Sequence, residues 1–210
     1  MSQAPFDLSG KVALVTGAGS VGEGWGNGKA TAVLMARQGA RIFGLDRNDD
    51  ALGSTGAILA EEGLGEQWAA RHCDMTDSGD VAAAVAECVE RFGGIDILVN
   101  NVGGSAPGDP VSMDEDAWHA QIDLNLTTAF LACKHVLPVM EAQFARTGRG
   151  GAIINVGSIG GMTYQVGGRV SSGYAASKAG LVAFGKSTAI AYVRKGIRVN
   201  TVIPGVMHTP

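Results

Sequence analysis

Tyr174 and Lys178, four positions apart, are the side chains of this 210-residue chain best placed by type and spacing for proton chemistry. An ordinary phenol loses its proton near pH ~10, so a tyrosine works as a base near neutrality only where positive charge stabilises its phenolate. The pattern over residues 172–194 predicts a helix, which puts Lys178 one turn beyond Tyr174 on the same face. The same spacing also suits a plain surface pair. Upstream, Ser158 ends Asn155-Val156-Gly157-Ser158 after an apolar run, where its hydroxyl could serve chemistry or cap a turn.

A second constellation suits an anion. The first apolar run leads into Thr16-Gly17-Ala18-Gly19-Ser20, and a helix opens near Gly28-Lys29-Ala30. Glycine belongs there because a Cβ would hold the backbone away from a pyrophosphate, whose charge is favoured by N–H groups at a helix start. The strand-loop-helix context points to a dinucleotide site, with a glycine-rich turn as the plainer alternative. Asp46 closes the second strand, where a carboxylate accepts hydrogen bonds from both hydroxyls of an adenosine ribose and repels a 2′-phosphate. That favours NAD over NADP, although the adjacent Arg47 could accommodate the phosphate, and Asp46 could be an ordinary strand-end carboxylate.

These residues need a scaffold, and the apolar patterning supplies one. Strands are expected at 11–16, 41–46, 67–74, 95–100, 152–156 and 197–203. Helices are expected at 28–38, 50–62, 78–92, 114–146 with an interruption at Pro138, and 172–194. Strict alternation implies an α/β fold, a parallel sheet covered by helices on both faces, whose ligands sit at the carboxyl edge of the strands.

Composition narrows the class. With 46% hydrophobic and 17% charged residues, the chain can bury one good core, so a single domain over 1–210 is expected. The 32 glycines fall between apolar runs, as turns do, and not in linkers. A net charge of −4 without basic clusters argues against nucleic acid or an anionic membrane as partner. No eighteen apolar residues run unbroken. Cys73, Cys88 and Cys133 form no C-x-x-C pair, which fits reduced thiols in the cytoplasm. The four histidines show no metal-ligand spacing, so no metal is expected. The glycine loop lacks a G-K-[ST] ending, which disfavours phosphoryl transfer.

Four motifs in order give the chain a resemblance to the short-chain dehydrogenase/reductase family over essentially its whole length. They are the glycine loop from Thr16, Asn100-Asn101-Val102-Gly103 against N-N-A-G, Tyr174-Ala175-Ala176-Ser177-Lys178 as Y-x-x-x-K, and Pro204-Gly205. The resemblance implies a doubly wound Rossmann-type sheet of six strands in a three-layer αβα sandwich, with the family's seventh strand absent. It implies an oxidoreductase passing hydride between NAD(H) and a secondary alcohol or ketone. Tyr174 would be the general acid/base, worth about 10² to 10⁴ in rate, Lys178 would hold the nicotinamide ribose, and Ser158 would hydrogen-bond the reacting oxygen. Asn125 resembles the asparagine that holds a water linking the lysine to solvent. Cofactor contacts would come from Gly17, Ser20, Gly26, Asn27, Asp46, Asn101 and Gly103, from Asp74 and Met75 at the adenine, and from Met207 and Thr209 at the carboxamide. A small-molecule alcohol or ketone is the expected substrate, and a homodimer or homotetramer the expected assembly if the family's C-terminal region is present.

The chain departs from the family in three places. Val21-Gly22-Glu23-Gly24-Trp25 is inserted before Gly26-Asn27-Gly28, and Glu23 should turn outward from the anion site. Ser158 lies further from Tyr174 than is usual, with the extra residues at 167–172, which leaves Ser171 and Ser172 as stand-ins. The sequence stops at Pro210, where the family continues, so a catalytically inactive nucleotide-binding protein or fragment is the alternative reading.

Overall fold

The computed structural model describes residues 6–163 and 169–207. Six parallel strands make one sheet: β1 (Val12–Thr16), β2 (Arg41–Asp46), β3 (Trp68–His72), β4 (Ile97–Asn100), β5 (Ala152–Val156) and β6 (Arg198–Val202). Their order is β3-β2-β1-β4-β5-β6, so the winding reverses between β1 and β4 and opens a crevice at their carboxyl ends. Thr16 and Asn100 end those two strands, and the glycine loop and Asn101 follow directly.

Both faces of the sheet are buried, and each strand feeds two cores by alternation. Val12, Leu14, Phe43 and Leu45 point towards α3 (Ser78–Phe92) and α5 (Thr128–Thr147), where they meet Val81, Val85, Val136 and Met140. Ala13, Val15, Ile42 and Val99 point the other way, towards α1 (Asn27–Arg37) and α2 (Asp49–Glu61), against Ala32, Val33, Leu52 and Leu59. Side-chain caps set the starts of three helices: Asn48 accepts from Ala51 N at 3.1 Å, Asp77 from Asp80 N at 2.7 Å, and Asp114 from Ala117 N at 2.6 Å. The last of these opens α4 (Glu115–Ile122), and α6 (Ser172–Tyr192) closes the helix set.

Besides shifts of one or two residues at other element ends, three differences from the sequence reading have a visible cause. The long helix expected to break at Pro138 runs through that residue, and its irregularity lies earlier, in a π turn over Asp123–Thr127. Pro138 removes the N–H that Lys134 O would accept, but both residues are exposed, so water can take the bond. Strand β3 ends at His72, two residues before the expected 74, because Cys73 and Asp74 turn into the crevice. Strand β4 starts at Ile97, since Ile95 exchanges its backbone hydrogen bonds with the Gln143 side chain, at 2.7 and 3.0 Å, and not with a neighbouring strand.

Candidate active site

One cleft of ≈ 830 Å³ runs along the carboxyl edge, from Asp46, Arg47 and Asp74 past the glycine loop to Ser158, Tyr174 and Lys178. At its middle, the loop after β1 and the start of α1 approach too closely for side chains. A Cβ on Gly28 would lie 1.7 Å from Gly17 O, and Gly17 itself turns with φ +64°. Asn101 holds this junction, its Nδ2 donating to Gly17 O at 2.9 Å and Thr16 O at 3.2 Å. Gly26 is the N-cap of α1 and offers no side chain to the helix's first N–H groups. Nearby, Ser20 Oγ is buried with no hydrogen-bond partner among the described residues. An open helix start, an unpaired hydroxyl and a loop with glycine at its closest approach to the helix suit a diphosphate, so the residues present fit a dinucleotide.

At one end of the cleft the Asp46 carboxylate is already anchored. Its Oδ2 accepts from Gly19 N at 3.0 Å and its Oδ1 from Asn48 N at 3.1 Å, which fixes the group at the rim with acceptor capacity to spare. Asp74 accepts from Thr76 N at 2.9 Å and Thr76 Oγ1 at 2.7 Å, and these bonds hold its carboxyl below the usual carboxylate range. Met75 beside it is buried and contacts Cys73 sulfur to sulfur at 3.7 Å.

At the other end, α6 and the short turn Ile159–Gly161 pack so tightly that a Cβ on Gly161 would sit 2.7 Å from Ala179 N. This contact brings Ser158 beside the Tyr174 ring: the Cβ position of Gly160 is 3.5 Å from both Ser158 Oγ and Tyr174 Cε1. Lys178 is 3% exposed, its Nζ donates to Val156 O at 2.8 Å, and it lies 5.8 Å from the Tyr174 ring centroid. Burial pushes its pKa down to about 8. Asn125 is buried in the π turn, where its Nδ2 donates to Gln121 O at 2.9 Å and Gly104 O at 3.0 Å, while its Oδ1 accepts from Gly104 N at 3.0 Å. Both Asn125 Oδ1 and Lys178 Nζ lie within 2.9 Å of the Cβ position on Gly103, so a side chain there would displace one of them.

The structure thus gathers Ser158, Tyr174, Lys178, Gly17, Ser20, Gly26, Asn27, Asp46, Asp74, Met75, Asn101, Gly103 and Met207 along one cleft. Asn125 stands behind it and clamps the segment after β4. Thr209 lies outside the described residues, as do 164–168 between Ser158 and Tyr174. Ser171 and Ser172 do not line the cleft; the Ser171 hydroxyl is bound to Ala106 O and to Ser105 Oγ. In the inserted segment Glu23 is exposed and Trp25 is 46% exposed, and only Val21 of those five residues lines the cleft. Sequence reasoning gave no part to Lys29 or Gln121. Both are buried polar residues, and Gln121 Oε1 accepts from Ala106 N at 3.1 Å. Gln121 belongs to α4, which mixes polar and apolar residues, and no sequence signal marked it for burial.

A family model described as short chain dehydrogenase matches residues 11–210. The chain belongs to the short-chain dehydrogenases. It is 37% identical over 204 residues to the 3-oxoacyl-(acyl-carrier-protein) reductase FabG of Vibrio cholerae, covering 97% of this chain and 76% of the relative. It is also 37% identical to the cyclohexanol dehydrogenase of an Acinetobacter strain, covering 97% and 75%. A solved structure from Burkholderia xenovorans, described as a short-chain dehydrogenase/reductase, superposes with a TM-score of 0.89 at 48% identity, over 96% of this chain and 76% of that one. The short-chain dehydrogenase is therefore an oxidoreductase with a nicotinamide-binding Rossmann fold. Among its described residues no histidine, cysteine and carboxylate group is assembled as a metal site, and no helix is long and apolar enough to cross a membrane.

Proposed function

We propose that the protein transfers hydride between NAD(H) and the carbinol or ketone carbon of a small secondary alcohol or ketone, with Tyr174 as general acid/base. The observation that carries this reading is the continuity of one cleft from the Asp46 carboxylate to a buried Lys178 beside Tyr174 and Ser158. When bound, the nicotinamide supplies the hydride acceptor or donor. In the oxidation direction the Tyr174 phenolate takes the substrate's hydroxyl proton, and the Ser158 hydroxyl donates a hydrogen bond to the same oxygen. Lys178, held on Val156 O, would stabilise the phenolate and bond a ribose hydroxyl of the cofactor. Asn125 fixes Gly104 at the cleft wall and acts as a positioning residue.

Asp46 supports NAD over NADP, because its anchored carboxylate would face a 2′-phosphate with like charge. Relatives named for cyclohexanol and for a 3-oxoacyl group support a secondary carbinol or its ketone as the reacting centre. Exposed Phe130, Ile190 and Val193 on and just after helices α5 and α6 support a homo-oligomer, and three buried free thiols support a reducing, cytoplasmic setting. The test is reduction of NAD and of NADP across a panel of secondary alcohols, beside binding of each nucleotide. Preferential NAD binding with turnover that Tyr174→Phe lowers about 10²- to 10⁴-fold is the expected result. Nucleotide binding without turnover of any alcohol or ketone would favour a binding protein instead.

A further inference from the structure

Lys29 is a buried cation that the reaction does not use. It sits in the first turn of α1 at 4% exposure, with its Nζ donating to Gly24 O at 3.1 Å and to Ser54 Oγ at 3.1 Å. Both partners are neutral, and among the described residues no carboxylate oxygen lies within 4.0 Å of its ammonium. A buried ammonium without counter-charge is unfavourable unless its hydrogen bonds hold something in place or an anion comes near.

What it holds is visible. Gly24 is the turning point of the inserted segment, at φ +107°, and Val21 at the segment's other end lines the cleft. Ser54 stands on α2 between two residues that touch the diphosphate loop: the Ala51 methyl lies 2.5 Å from the Cβ position of Gly19, and Thr55 Oγ1 donates to Ala18 O at 2.9 Å. One ammonium therefore ties the insertion to α1 and α2 directly beneath the glycine loop.

We propose that Lys29 is a positioning residue for the dinucleotide, which locks the inserted segment 21–25 so that Val21 keeps its place on the wall of the diphosphate site, and which adds its uncompensated charge to the field there. The second half of this role rests on the dinucleotide reading above; the first does not. Lys29→Met keeps the apolar stem and removes the grip. Its first readout needs no ligand: a glutamate-specific protease should cut after the exposed Glu23 about 10-fold faster in the variant than in the parent.

The second readout is calorimetric binding of two cofactor halves. ADP-ribose should bind about 10-fold more weakly to Lys29→Met, with a shallower salt dependence, while nicotinamide mononucleotide binds as before. Should Lys29→Met fail to melt cooperatively, Ser54→Ala carries both measurements with a smaller effect in the same direction. Unchanged cleavage at Glu23, or unchanged ADP-ribose affinity and salt slope, overturns the role of Lys29 even if the parent binds ADP-ribose. A parent that binds neither ADP-ribose nor NAD overturns the dinucleotide reading and the electrostatic half of the role with it, while cleavage at Glu23 still decides whether Lys29 locks the segment.

Discussion

At the scale of single residues, burial matters as much as identity. Lys178 is of interest because its ammonium is held out of water, which depresses its pKa from 10.5 to about 8. Between those two values the unfolded chain carries a proton that the folded one has lost, so stability rises with pH across that window and is lost again as pH falls through about 8. The stability of the parent relative to Lys178→Met should therefore increase from pH 8 to 10.5, by on the order of 3 kcal/mol, in denaturant titrations of both. A flat difference would mean that the lysine is better solvated than its 3% exposure indicates.

Asp46 invites a second test at this scale. Its carboxylate is fixed by Gly19 N and Asn48 N, so Asp46→Asn leaves the amide oxygen a partner while removing the charge that repels a 2′-phosphate. Binding of NADP relative to NAD should improve by about 10-fold or more in that variant. No change in the ratio would show that the discrimination lies elsewhere on the rim.

At the scale of elements, much was legible because strand and helix periods differ and because the motifs sit at strand ends. The runs 41–46, 78–92 and 152–156 coincide with β2, α3 and β5 residue for residue. Nearly all-apolar strands such as Ile97–Asn100 announced burial on both faces. What escaped the sequence depends on where a side chain finds its partner. Pro138 reads as a breaker, yet its solvent-facing position lets water take the carbonyl of Lys134 that the helix leaves unbonded. The π turn and its Asn125 clamp are set by backbone acceptors on Gln121 and Gly104, which no periodicity reveals. The grip of Lys29 on Gly24 is equally silent, because its partner is a carbonyl.

The glycine loop supplies the prediction proper to this scale. A methyl on Gly28 would meet Gly17 O at 1.7 Å, backbone against backbone, with Asn101 Nδ2 at 2.5 Å leaving no direction of escape. Gly28→Ala should cost about 1–3 kcal/mol or more of stability and abolish nucleotide binding together. Gly53→Ala, at an α2 position with nothing within 4 Å of its Cβ, is the matched control and should retain both. Retained nucleotide affinity in Gly28→Ala would contradict the close helix-to-loop approach.

At the scale of the molecule, two cores flank one sheet, and all three thiols lie in the one on the α3 and α5 side. Burial pushes Cys73, Cys88 and Cys133 up to about 12 from an ordinary value of 9.0. Above pH 9.0 the unfolded chain sheds thiol protons that the native one keeps, so these groups make stability fall as pH rises towards 12. Three thiols oppose one lysine, and the net effect above pH 9.0 is destabilisation. A disulfide reagent at pH ~8 should label none of the three in the native protein on the timescale that labels all three in denaturant. Rapid labelling of the native protein, most of all at Cys73 on the cleft wall, would show that the crevice opens further than its geometry suggests.

The central claim is that the cleft moves a hydride from a carbinol carbon to NAD while Tyr174 moves the proton. Its most direct measurement is deuterium transfer: incubate NAD with a secondary alcohol carrying deuterium at the carbinol carbon, isolate the reduced nicotinamide and read its mass. One deuterium is expected in the reduced cofactor made by the parent, and loss of that product in Tyr174→Phe, which still binds NAD. Reduced cofactor without deuterium, or full transfer in Tyr174→Phe, would contradict it.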